Sequence, residues 1–275
     1  MVWICASVLI DYKLMTTRYG ETEFWAALGK MLLIIGLILY TFITMLGGNP
    51  LGDRYGFRFW NNPGAFKPLY YDNNTGYFLG FLQCLIQAGF TIAGPDYVSM
   101  AAGEAENPRR IMPIAYNAVF YRLTCFFVLG SLCIGIVVPY DDETLVAAFE
   151  NGEPGAAASP YVVSMIRLKI KVLPHIVNAL VLTSAFSAGL SYLYCSSRAL
   201  LGLALEHKAP RIFTRATRQG VPIYAVGLVL LISLLSFLQL GQTAATVLSW
   251  FVSIITASQL INFAVMVSAS TLLAS

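Results

Sequence analysis

From Gln219 to Ser275 the sequence contains no Lys, Arg, Asp or Glu. A water-soluble fold cannot present so long an uncharged stretch, and the stretch far exceeds the ~20 apolar residues that cross a hydrocarbon core once. Gln239-Leu240-Gly241-Gln242 is the polar break within it, so two crossings are predicted, Val221–Leu238 and Thr243–Val267. Four further windows of the same kind come before: Phe24–Leu46, Tyr77–Ala102, Pro113–Val138 and Val172–Leu205. None alternates as a strand does, so all are read as helices. Across the 275 residues 57% are apolar and 11% are charged, where ordinary soluble domains carry ~25% charged residues. These features exclude a soluble globular enzyme, a disordered chain and a nucleic-acid binder, and a net charge of +3 offers little to a polyanion. The expected fold is all-α and membrane-embedded, with six full transmembrane helices.

Charges collect between the windows. Asp11–Glu23, Gly103–Met112 and Glu206–Gly220 carry Lys13, Arg18, Arg109, Arg110, Lys208, Arg211, Arg215 and Arg218. The alternate connections, Gly47–Gly76 and Pro139–Lys171, are longer, carry fewer cations and hold Asp141, Asp142, Glu143, Glu150 and Glu153. The positive-inside rule places the first set in the cytosol. Met1–Ile10 is apolar but half a span long, and lacks the basic start and small-residue cleavage site of a signal peptide. It is expected to be the stub of a longer helix. Asn73-Asn74-Thr75 is a glycosylation sequon close to the membrane on the outer side. Cys5, Cys84, Cys125, Cys133 and Cys195 lie in apolar segments without metal-type spacing, and His175 and His207 stand apart, so neither a metal nor a cofactor is expected.

Several residues inside the windows can carry chemistry. Tyr77–Ala102 is interrupted at Gly94-Pro95-Asp96. Pro95 removes a backbone donor, Gly94 lets the chain leave helical geometry, and Asp96 brings a carboxyl into the span. Irregular backbone at that depth must be buried or line a cavity, and broken helices of this kind coordinate substrates and ions in secondary transporters. A proline kink beside a paired, protonated Asp is the other reading. Lys30 is the charge within Phe24–Leu46. It either snorkels to the cytosolic face or carries a proton in a buried site. Ser184 and Ser187 share a helix face with Ala185, Ala188 and Gly189, a surface suited to close helix packing or to a ligand. Arg122 and Arg198 are expected to pair or snorkel near helix ends. A membrane hydrolase is not supported, since Gly189-Leu190-Ser191-Tyr192 lacks the second glycine of a nucleophile elbow.

Taken together, several stretches resemble the fungal amino acid permeases of the amino acid–polyamine–organocation superfamily. They are Tyr19-Gly20-Glu21-Thr22-Glu23-Phe24-Trp25, Gly94-Pro95-Asp96 with Ala102-Gly103-Glu104-Ala105-Glu106-Asn107-Pro108-Arg109-Arg110, and Lys171-Val172-Leu173-Pro174-His175-Ile176-Val177-Asn178-Ala179. Ser184-Ala185-Phe186-Ser187-Ala188-Gly189-Leu190-Ser191-Tyr192-Leu193-Tyr194, Ser197-Arg198-Ala199-Leu200 and Ala209-Pro210-Arg211-Ile212-Phe213-Thr214 complete the set. The resemblance implies part of a LeuT-like inverted-repeat transporter in one membrane domain. Residues 1–47 then close the first repeat, 77–267 form the second, and 268–275 are an atypical tail. Phe24–Leu46 looks like the family's fifth helix and the broken span like the sixth. Counterparts of the first three and last two helices are missing from the sequence in hand.

The resemblance also implies roles. Phe90, Ala93, Gly94, Pro95 and Asp96 would bind the substrate, and Lys30, Ser184 and Ser187 would couple it to protons. The family commonly has Gly-Thr-Glu where this chain has Gly-Pro-Asp, which keeps the charge on a shorter arm. Partners would be an amino acid, a proton and the lipid bilayer, with no nucleic acid, and the location would be the plasma membrane. The expected activity is proton-coupled amino acid import by a truncated permease, not an enzyme. A non-transporting fragment or regulator that associates with intact permeases is the alternative.

Overall fold

The computed structural model describes residues 19–92, 97–100, 107–150, 159–217, 220–235 and 242–274. Every regular element among these residues is helical. We number the helices of eight or more residues: α1 Tyr19–Met45, α2 Asn74–Ile92, α3 Pro108–Val137, α4 Glu143–Glu150, α5 Pro160–Arg167, α6 Leu173–Leu205, α7 Ile223–Ser233 and α8 Gln242–Ala274. Helices dominate because hydrocarbon offers no water to the peptide groups, so each amide must find its partner within its own segment.

Four helical stretches are long and apolar enough to cross a bilayer: Glu23–Met45, Pro108–Val137, Leu173–Leu205 and Ser253–Leu272. The protein is therefore a multi-pass membrane protein. At most 17% of the residues in any of their most apolar windows are buried within the protein, so most of their apolar surface is open to lipid or to other helices. Two expected spans are described in part, as α2 with a separate turn Tyr97–Met100 and as the shorter apolar α7.

Helix starts differ from the expected windows in instructive ways. The first helix opens at Tyr19 rather than Phe24, which brings Glu21 and Glu23 inside it. Acidic residues in the first turns of a helix suit its positive end. The third opens at Pro108 rather than Pro113, on the carbonyl of Asn107, which accepts from the amides of Arg110 and Ile111. Proline lacks the amide that a first helical residue has no use for, so Pro108 is a natural start. Pro113 sits inside α3 one turn further on, where it leaves the Arg109 carbonyl without its usual i→i−4 donor.

The chain forms two compact units, residues 1–67 with 121–192 and residues 68–120 with 193–275. In the first, the core gathers Tyr40 from α1, Tyr55 from the following loop, Cys133, Ile136 and Val137 from α3, Tyr161, Val162 and Met165 from α5, and Val177 from α6. Hydrogen bonds run through it. The hydroxyls of Tyr40 and Ser164 lie 3.0 Å apart, and those of Thr44 and Tyr55 2.7 Å apart. Asn49 locks the loop that leaves α1. Its amide nitrogen donates to the carbonyls of Thr44 (3.1 Å) and Asp53 (2.6 Å), and its oxygen accepts from the amides of Leu51 and Asp53. In the same loop the Arg58 guanidinium grips Asp53 at 3.0 and 2.7 Å and holds its carboxyl below the usual carboxylate range.

Arg167, at the end of α5, is a second fastening. Its guanidinium donates to the Val137 carbonyl at 2.6 Å, lies 3.5 Å from Asp142 and stacks 4.7 Å from the Phe59 ring centroid. Val137 ends α3, where carbonyls lack helical partners and positive charge is favoured. Asp142 in turn caps α4 by accepting from the amides of Thr144 and Leu145. One arginine thus joins two helix ends and a helix start.

In the second unit, α2 packs on α8. Gly89 makes the approach possible, because a Cβ there would stand 3.1 Å from a Leu260 methyl. Arg198 sits over the Tyr194 ring one turn earlier on α6, at 5.4 Å from the centroid.

Replacing Arg167 by alanine leaves the Val137 carbonyl and the Asp142 carboxylate without this partner. We expect a loss of about 1.5–3 kcal/mol, the worth of a hydrogen bond to a charged group, measured as the unfolding midpoint in detergent. Arg167→Lys should recover only part, since an ammonium cannot stack flat on Phe59.

Candidate functional site

Lys30 lies on α1, and the seven-residue step from Glu23 returns to the same helix face, about 10.5 Å along the axis. Side chains that long close the gap, and the Lys30 ammonium stands 3.3 Å from Glu23 Oε1. The other carboxylate oxygen, Oε2, accepts a 2.7 Å hydrogen bond from the Ser187 hydroxyl on α6. Residues 164 positions apart in sequence therefore meet on one carboxylate, within the first compact unit. Ser187 is buried at 3% relative exposure, while the Lys30 and Glu23 side chains keep 30% and 28%.

The arrangement is electrostatically self-consistent. An unpaired charge inside a membrane span is expensive, and Lys30 meets an opposite charge at Glu23, seven residues nearer the start of α1. Each carboxylate oxygen has one donor. Ser187 donates to an ionised acceptor, which makes its bond stronger than a hydroxyl bond to a neutral group. It also cross-links α1 to α6 at mid-sequence of the longer helix.

Ser184 does not join. It is half-buried one turn before Ser187, and the contacts to the Glu23 carboxylate come from Lys30 and Ser187 instead. Phe90 lies in the last turn of α2, with its side chain outside what is described. Ala93, Gly94, Pro95 and Asp96 lie outside the described residues, between the end of α2 and the turn at Tyr97–Met100. The Thr91 hydroxyl donates to the Gln87 carbonyl at 2.9 Å, one turn back within α2. Two cavities in the first unit lie elsewhere. One of about 640 Å³ is lined by Phe59, Trp60, Lys67 and Tyr140, and one of about 300 Å³ by apolar residues of α1, α5 and α6.

Glu23 is the residue that reading the sequence missed. The apolar window begins at Phe24, which leaves Glu23 in the cytosolic connection Asp11–Glu23. The signal was present as the spacing Glu23…Lys30, opposite charges one heptad apart, once the helix is allowed to start at Tyr19.

The contrast between the two serines is testable. Ser187→Ala removes a buried, charge-assisted bond and should cost about 1.5–3 kcal/mol. Ser184→Ala should fall within about 0.5 kcal/mol of the parent. Unfolding midpoints of both variants in detergent, measured side by side, decide it.

Comparison with known proteins now adds to this geometry. The sequence profile described as "Amino acid permease" matches residues 1–273. The general amino acid permease AGP2 of Saccharomyces cerevisiae is 54% identical over 253 residues, which is 90% of this chain and 42% of that protein. The proline-specific permease of Emericella nidulans is 48% identical over 246 residues, 89% of this chain and 45% of that protein. The proline-specific permease of S. cerevisiae is 41% identical over 258 residues, 94% of this chain and 41% of that protein. The chain thus spans less than half the length of these relatives. No solved structure matches it. With nearly its whole length matched, this chain belongs to the amino acid permease family.

Proposed function

We propose that this chain supplies the proton-coupling and part of the substrate-binding machinery of an amino acid permease that imports amino acids with protons across the plasma membrane. The observation that carries the reading is the family match over residues 1–273. The Glu23–Lys30–Ser187 cluster supports it, because an ion pair built into a membrane span is the kind of feature that proton relays use. In this reading the chain crosses the bilayer six times and carries part of a LeuT-like inverted repeat. The broken helix around Gly94-Pro95 grips the substrate main chain through backbone groups of Phe90, Ala93 and Gly94. Asp96 answers the substrate amine. Lys30 cycles its proton, and Ser184 and Ser187 form the facing surface of the coupling site.

A second reading stands beside it, since the chain covers 42% of the length of the general amino acid permease AGP2 and the whole protein's activity is a proposal for it. In that reading the chain is a regulator that associates with intact permeases and does not itself transport.

Two experiments separate the readings. The first expresses the 275-residue chain in permease-deficient yeast and measures uptake of labelled proline and of a labelled amino acid mixture, with and without a protonophore. Protonophore-sensitive uptake establishes transport by this chain. The second places the chain in the matching segment of the general amino acid permease AGP2. There Asp96→Asn and Lys30→Met should each lower uptake at least tenfold. Undiminished uptake in both variants would overturn the assigned roles. No uptake by the chain alone, together with its co-purification with an intact permease, would favour the second reading.

A further inference from the structure

We infer that the outer end of α3 and the loop after α1 form a binding site for a zwitterionic phospholipid of the outer leaflet. The site is the cavity of about 640 Å³ in the first compact unit, and it stands apart from the Glu23–Lys30–Ser187 cluster. One wall is α3, through Ile134 and Gly135, continued by Val138 just past its end. The loop forms the other wall, through Trp60 and Lys67, and Tyr140 closes it beyond the helix end. Trp60 comes close to α3 because position 135 is a glycine. A Cβ there would stand 3.3 Å from the indole nitrogen.

Depth in the membrane points to a lipid. The stretch Pro108–Val137 is long and apolar enough to cross a bilayer, and Ile134 and Gly135 lie in its last turn. The charge pattern assigns that end to the outer side. The cavity thus starts on apolar helix and ends among polar loop residues, as the boundary between hydrocarbon and headgroups does. The loop carries exposed rings at Phe57, Trp60 and Phe66, and those of Phe57 and Trp60 meet edge to face with centroids 5.7 Å apart. Rings of this amphipathic kind collect where membrane meets water. The volume falls in the range of about 300–1,000 Å³ that holds ligands of drug size, and part of a phospholipid fills it better than a single amino acid does.

Charge selects the headgroup. Lys67 lines the cavity and is exposed, so its ammonium is available to a phosphate. The nearby cations Arg58 and Arg167 are committed to Asp53 and Asp142. Asp141 and Glu143 are exposed and adjoin Tyr140 and Leu145, both of which line the cavity. One cation beside two carboxylates suits a phosphate followed by an amine, the headgroup of phosphatidylethanolamine. A headgroup with net negative charge would meet repulsion from the carboxylates. In the bound pose the phosphate sits at Lys67, the amine lies toward Asp141 and Glu143, and the first carbons of the chains lie on Ile134 and Val138.

The test uses the purified 275-residue chain, stripped of lipid in detergent, and follows its unfolding midpoint as ligands are added. Dioctanoyl phosphatidylethanolamine should raise the midpoint and saturate. Dioctanoyl phosphatidylglycerol should need a higher concentration. Dioctanoylglycerol, inorganic phosphate and proline should give no saturable rise. Lys67→Gln should raise the half-saturating concentration of phosphatidylethanolamine about fivefold or more, through loss of a charge-assisted hydrogen bond. Gly135→Leu should abolish the saturable rise, since the added side chain takes the room of the indole and the lipid chains. Lys171→Gln, at an exposed lysine outside the cavity lining, should leave the half-saturating concentration unchanged.

An unchanged half-saturating concentration in Lys67→Gln would overturn the inference. So would an equal rise from dioctanoylglycerol, free phosphate or proline, or a response to phosphatidylglycerol at or below the concentration that phosphatidylethanolamine needs. If Gly135→Leu does not fold, Lys67→Gln and the headgroup series decide.

Discussion

Inside a bilayer, a peptide group has only other protein groups to bond with, and a charge has only other charges. Both halves of that constraint shape this protein. The first makes every regular element described a helix and sets how long the spans must be. The second makes Lys30 acceptable where it is. A lysine in a span needs a route to water or a counter-charge, and Glu23 stands 3.3 Å away on the same helix. Once the carboxylate is there it needs donors of its own, which brings in Ser187 and with it α6.

Seen along its length, α1 is held to the rest of its unit by polar contacts at both ends and by apolar ones between. Tyr40 and Thr44 hold one end, Glu23 the other, and the residues between present leucines and isoleucines, many of them exposed. Apolar packing in lipid gives little preference for one helix face over another, because lipid tails are as apolar as leucine. The few polar bonds therefore do most to decide which face of α1 meets α5 and α6. Arg167 plays the same part for the short helices outside the spans, where it joins the end of α3 to the start of α4.

Much of this was legible in the sequence, for a physical reason. A charge deficit and long apolar windows are properties of composition, so the membrane class and the all-helical reading came directly from them. The family motifs survive as local strings, and the match over residues 1–273 agrees with them. What the sequence hid were contacts made by polar residues at window edges. Hydropathy cut the first span at Phe24 because Glu23 is charged, yet a helix does not end where hydrophobicity does, and Glu23 sits in its second turn. The same logic set the start of α3 at Pro113 instead of Pro108. Ser184 and Ser187 looked equivalent on a helical face. Only the position of α1 separates them, and that is a tertiary fact. Arg167 read as one cation in an outer connection, with no local sign that its partners would be a carbonyl thirty residues back, Asp142 and Phe59.

The loop clamp at Asn49 has a mechanical consequence. All the hydrogen-bonding capacity of that amide is used, and beside it Thr44 and Tyr55 share a 2.7 Å contact, so this end of α1 is fixed in both position and direction. Toward the opposite end, the Ser187 bond on Glu23 joins the helix to α6. Between Thr44 and Glu23 the helix runs roughly 30 Å. A rigid rod pinned at one end magnifies small rotations at the other, and a tilt of about 5° carries the far end by ~3 Å over that length. That displacement is about the length of a hydrogen bond. A tilt of α1 about the asparagine clamp would therefore be felt most at the Glu23 carboxylate.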